Sequence, residues 1–128
     1  MNKPLLLDSD VLIDYPRRHP QAVGYLRALP VVPLLSVVVV AELFSGVRDG
    51  HERTQLEALM ATTQVLPLDK YIAVQAGLLR RQYRLSHRPA LPDMMIAATA
   101  LAHNATLITL NDKHFPMLSD VIVPYQKP

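Results

Sequence analysis

The sequence predicts an α/β fold: a single domain over residues 1–128, built on a small, mostly parallel sheet of about five strands flanked by helices on both faces. Three observations predict it. Short apolar runs alternate along the chain with longer stretches of helical periodicity. The stretches between successive runs are long enough for right-handed crossovers, which place neighbouring strands parallel. Finally, 128 residues, half of them hydrophobic and 19% charged, suit one compact core, and no low-complexity tract or Gly/Ser linker divides the chain.

The first strand is predicted over 4–7, where PLLL is apolar and Asp8 ends the run; a helix follows it, with Asp14 on its solvated side. A helix over 21–29 leads to a second strand over 32–35. The segment 37–47 is ambiguous, because VVVV has strand propensity. Ser36 is a suitable N-cap and AELF continues the run with helical spacing, so a helix is predicted there. Helices over 52–62, 71–85 and 93–104 and strands over 64–66, 106–110 and 121–123 complete the pattern. Pro30, Pro33, Pro67, Pro89, Pro92 and Pro124 punctuate it.

Composition removes several classes of function. With no cysteine there is neither a disulfide framework nor Cys-based zinc, in keeping with a cytoplasmic location. The LLL run near Lys3 is cut by Asp8 before it could serve as a signal-peptide core. The longest apolar-rich segment, 31–41, is far shorter than the roughly 20 residues that span a bilayer. A net charge of +2 permits nucleic acid or an acidic protein as partner without demanding either.

Open parallel sheets bind ligands in the crevice beyond the carboxyl ends of their strands. Four places reach that edge: Asp8 after the first strand, Ser36 with Glu42 two turns on, Asp93 at the head of the helix after Pro92, and Asn111 with Asp112 after TLITL. Most have an ordinary structural explanation. Asp8, Ser9 or Asp10 can cap the first helix, Asp93 suits a helix N-terminus after proline, and Asp112 can be a turn residue. Glu42 resists this treatment, because it interrupts VVVVAELF and no basic residue lies between Pro30 and Val47. If Asp8, Glu42 and Asp93 converge, each pair at about 4 Å would repel by roughly 4 kcal/mol at an effective dielectric of 20. Carboxylate oxygens with neither cysteine nor a paired-histidine motif then favour a hard cation, Mg²⁺ or Mn²⁺.

Four stretches together resemble the PIN-domain ribonucleases of the VapC toxin type: LLLDSDVLIDY, SVVVVAELFSGVR with one extra valine, LPDMMIAATALAHNATLITLN, and the closing NDKHF. The least distinctive sequence lies within 42–92. The resemblance implies a metal-dependent endoribonuclease that hydrolyses RNA with Mg²⁺ or Mn²⁺, forms a homodimer and is held inactive by a cognate antitoxin. Carried over by position, Asp8, Glu42 and Asp93 are the catalytic, metal-binding acids. The fourth acidic position falls on Asn111 or the adjacent Asp112, because the family often has aspartate where this chain has Asn111. Asp10 stands where related proteins often carry a small polar residue such as asparagine, and it adds negative charge behind the ligands. Ser9, Ser36 and Thr109 orient a carboxylate or hold a water, or act simply as caps.

Positive charge for RNA phosphates, or for an acidic antitoxin tail, is concentrated in LLRRQYRLSHRP at Arg80, Arg81, Arg84 and Arg88; a solvated helix face explains the same pattern. His114 lies nearest the expected site and reads as a surface or phosphate-contacting residue. Two phenylalanines and no tryptophan argue against an extensive base-stacking platform. Apolar helical surface around GVRDGHERTQLEALM and AVQAGLL gives weak support for a dimer. Two alternatives stand beside this reading. One is a haloacid-dehalogenase-like phosphatase, whose DxD opening LLLDSDVLID satisfies but whose following threonine it lacks. The other is a catalytically inactive PIN-fold interaction module.

Overall fold

Leu5–Leu7 form strand β1, and the computed structural model, which describes residues 3–126, sets this strand at the centre of a five-stranded sheet. Strands β2 (Leu34–Ser36), β3 (Gln64–Leu66), β4 (Thr106–Ile108) and β5 (Val121–Ile122) complete it in the order β3-β2-β1-β4-β5. Every pairing is parallel, with Leu6 in register with Leu34 on one side and Leu107 on the other. Successive side chains of a strand point to opposite faces, and both Leu6 and Leu7 are fully buried, so both faces of the sheet are covered.

The helices are α1 (Ser9–Ile13), α2 (Pro20–Arg27), α3 (Val37–Gly46), α4 (His51–Met60), α5 (Lys70–Tyr83) and α6 (Leu91–Ala102). The ambiguous VVVV run is helical. Ser36 Oγ accepts from Val38 N at 3.1 Å and caps α3, while Asp69 Oδ1 accepts from Ile72 N at 2.8 Å and caps α5. Leu12, Leu35, Leu43, Met94, Leu107 and Phe115 anchor the core. No helix among the described residues is long and apolar enough to cross a membrane.

Three boundaries move for physical reasons. β2 begins at Leu34 rather than residue 32, since Val32 is 65% exposed and Pro33 has no N–H to donate to a ladder. β4 stops at Ile108 because the Thr109 hydroxyl turns toward Asp8 and the Leu110 N–H toward Asp10, at the head of α1. α6 starts two residues early, at Leu91, with Pro92 accommodated in its first turn. Asp14 requires a correction: it is buried, at 5% exposure, and accepts a hydrogen bond from Tyr125 Oη at 2.9 Å. The sequence could not reveal a partner 111 residues away.

The chain runs from β1 outward through β2 to β3, then returns to build β4 and β5 on the opposite side of β1. The order therefore reverses between β1 and β4. Their carboxyl ends flank the switch point, where ligands of such sheets bind.

Candidate active site

Asp8 follows β1 directly and is the N-cap of α1, with extended backbone at φ −81° and ψ 160°. Its Oδ1 accepts from Ser9 N at 2.8 Å, and its Oδ2 from the Thr109 hydroxyl at 2.8 Å. The carboxylate is thus fixed from both sides of the switch point, and the residue is only 6% exposed. Two residues on, Asp10 Oδ2 accepts from Leu110 N at 3.0 Å and from Asn111 Nδ2 at 3.0 Å, with the Thr109 hydroxyl 3.2 Å away. Asp10 Oδ1 is buried with no hydrogen-bond partner.

Glu42 comes from α3. Val39 and Leu43 are the positions that α3 buries, whereas Glu42 is exposed, which corrects the expectation that this carboxylate sits in a core run. Its Oε1 nevertheless reaches back to the Ser9 hydroxyl, which donates to it at 3.4 Å. Asp93 lies in the first turn of α6, half-buried, with His114 Nδ1 at 3.5 Å from its Oδ2.

The four acids feel one another. Burial, then the charge of Asp8, pushes the Asp10 carboxyl up to about 6. The same two causes raise Asp93, against an opposing contribution from His114. Glu42 is raised by partial desolvation, then by Asp8 and Asp93, while the Ser9 hydrogen bond opposes the shift. Among the described residues no lysine or arginine forms an ion pair with any of the four. A negative cluster at a ligand-binding crevice is therefore left without a fixed counter-charge.

Among the described residues no group of three or more His, Asp or Glu side chains is already arranged to hold a metal ion. The donors still fit a hard divalent cation in kind and charge, being carboxylate oxygens that repel one another. Glu42 is the exposed member of the set.

The remaining expected residues separate. Ser9 and Thr109 belong to the cluster through the bonds above, whereas Ser36 is buried and occupied in capping α3. Asn111 is joined to Asp10 by its amide, while Asp112 begins an exposed 3-10 turn with no hydrogen bond to the cluster. Two clefts border the acids. One, beside Asp10 and Glu42, is lined by Arg17 and Ile13. The other runs from Asp93 past His114 and Lys113 to Arg88, beside a hollow lined by Arg80, Arg84 and Leu85. Arg88 itself adopts a left-handed backbone, φ 45°, in the loop that delivers α6. Arg17 and Lys113 were missed in the sequence; adjacency of Lys113 to His114 in NDKHF was the available signal.

The family model of the PIN domain matches residues 5–120, and the chain belongs to the PIN-domain family. Ribonuclease VapC10 of Mycobacterium tuberculosis is 42% identical over 127 residues, covering 97% of this chain and 95% of the relative. Ribonuclease VapC19 of the same species is 37% identical over 124 residues, covering 94% and 98%. Among solved structures, a toxin-antitoxin complex from Klebsiella pneumoniae superposes with a TM-score of 0.82 at 28% identity, covering 96% of this chain and 99% of that one. FitAcB from Neisseria gonorrhoeae gives a TM-score of 0.74 at 27% identity, covering 94% and 97%. The resemblance carried by the four motifs is thereby borne out, and membership of this family sets aside the haloacid-dehalogenase alternative.

Proposed function

We propose that the chain is a VapC-type endoribonuclease, the toxin of a toxin-antitoxin pair, hydrolysing RNA phosphodiesters with Mg²⁺ or Mn²⁺ held by Asp8, Glu42 and Asp93. The observation that carries this reading is the gathering of three acids from three separate elements, none ion-paired to a lysine or arginine among the described residues, at the switch point of the sheet. The ribonuclease relatives and the toxin-antitoxin neighbour support the reaction and the partner.

A bound divalent cation supplies a water of lowered pKa and a counter-charge for the phosphate. Asp8, pinned by Ser9 N and the Thr109 hydroxyl, provides a carboxylate whose orientation costs no reorganisation. A carboxylate oxygen of Glu42 or Asp93 not engaged with the cation would accept the proton of the attacking water. Attack by water in line with the P–O3′ bond leaves a 5′-phosphate and a 3′-hydroxyl.

Arg88 and Lys113 border the Asp93 cleft, and Arg80, Arg81 and Arg84 continue the positive surface; RNA backbone or an acidic antitoxin segment fits there. Tyr71, Val74 and Leu78 form an exposed apolar stripe on α5 that supports pairing into a homodimer. The cysteine-free composition accords with action in the cytoplasm.

The test is cleavage of RNA by antitoxin-free protein. Cutting that requires Mg²⁺ or Mn²⁺ and yields 5′-phosphate ends is expected. Undiminished cutting in EDTA, or 2′,3′-cyclic phosphate products, would reject the reading.

A further inference from the structure

The Thr109 hydroxyl has one proton and two carboxylate oxygens within reach, Asp8 Oδ2 at 2.8 Å and Asp10 Oδ2 at 3.2 Å. Its own oxygen is already used as an acceptor by Asn111 N at 3.1 Å. A hydroxyl can give its proton fully to only one acceptor, so the other carboxylate must be satisfied elsewhere. Asp10 Oδ2 is: Leu110 N and Asn111 Nδ2 each donate to it at 3.0 Å. These contacts span about 100 residues of sequence and tie α1 to the turn after β4.

We infer that Asp10 and Asn111 form a positioning pair, in which Asp10 gathers the backbone and side-chain amides of the 110–111 turn and so leaves the proton of Thr109 to Asp8. The acceptor sits on α1 and the donor amide on the loop. Asn111, with its amide engaged by Asp10, orients the site instead of supplying a fourth acid. This inference rests on the proposed metal-dependent function only for its consequence, since the geometry of the pair exists without metal.

The chemistry predicts non-additivity. Asp10→Ala removes the acceptor, and Asn111→Ala, at an exposed position, removes the amide without threatening the fold. Because Asn111 acts through Asp10, its removal should matter only while Asp10 is present. Calorimetric titration of the full chain with Mn²⁺ should show binding weakened about tenfold by Asn111→Ala in the parent and changed by less than about threefold by Asn111→Ala in the Asp10→Ala variant. Asn111→Ala that binds Mn²⁺ as tightly as the parent, or that weakens binding equally in both backgrounds, would overturn the pair. If the parent itself binds no Mn²⁺, the metal-dependent function fails, and the pair is judged by NMR. Displacement of the Asn111 side-chain amide signals in Asp10→Ala supports it, and unmoved signals reject it.

Discussion

Thr109 and Asp8 are 101 residues apart in the chain, yet the Thr109 hydroxyl donates to Asp8 Oδ2 at 2.8 Å in a buried setting. The bond joins the carboxyl ends of β4 and β1 across the switch point, and so fixes the one acid of the cluster that is almost wholly enclosed. Leaving a buried acceptor without its donor costs about 1–3 kcal/mol. Thr109→Val should therefore lower the stability of the metal-free protein by about that amount in urea denaturation, and reduce RNA cleavage as well. Thr109→Ser, which keeps the donor, should retain most of both.

Tyr125 and Asp14 provide a second long-range bond, at the far end of α1. Tyr125→Phe removes only the hydroxyl from a residue that is 8% exposed. A loss of about 1–3 kcal/mol in urea denaturation is expected. Because the contact lies behind α1, RNA cleavage below the melting transition should change less than in Thr109→Val.

The acidic cluster makes the metal-free protein sensitive to pH. Asp10 titrates at about 6, against an unperturbed 3.8, and faces Asp8, with Glu42 and Tyr125 also within electrostatic range. Glu42 and Asp93 are raised as well. The folded state thus holds more protons than the unfolded chain between about pH 4 and pH 6. Stability is fully present at the acid end of that window and declines as pH rises through it. For Asp10 alone the difference between 3.8 and about 6 corresponds to about 3 kcal/mol. Melting temperature in EDTA should be higher near pH 5 than near pH 7.5, with other conditions equal, and Mn²⁺ should narrow the gap. A melting temperature that rises steadily over this range in EDTA would contradict the coupling.

Arg88 and Lys113 line the cleft that begins at Asp93, where a phosphate neighbouring the scissile one would lie. Arg88→Ala should weaken RNA binding similarly across sequences and reduce the slope of log K against log salt by about 0.7, the value for one phosphate contact on a single strand. Filter binding on a catalytically inactive background measures it. An unchanged slope would assign Arg88 to a solvated surface.

Much of this architecture was legible in the sequence because central parallel strands read as continuous apolar runs. Leu5, Leu6 and Leu7, and the Thr106–Ile108 strand, could be placed without tertiary information. Ser36 and Asp8 announced themselves as caps, and the positions of Asp8, Glu42 and Asp93 at strand ends or in the helices that follow pointed to one edge. Other features depended on contacts that spacing does not encode. The burial of Asp14 follows from Tyr125 near the far end of the chain. The exposure of Glu42 follows from which face of α3 packs on the sheet, because an almost wholly apolar helix gives no stripe to read. The bond from the Asn111 amide to Asp10, on a helix 101 residues earlier, is likewise a contact that spacing does not encode.

The central claim is that Asp8, Glu42 and Asp93 act jointly on one divalent centre. Calorimetric titration of Mn²⁺ into the parent protein, Asp8→Asn, Glu42→Gln and Asp93→Asn, each verified as folded, tests it most directly. Saturable binding by the parent, weakened at least tenfold by every one of the three substitutions, is the predicted result. Binding that survives any of them unchanged, or no saturable binding by the parent, would contradict it.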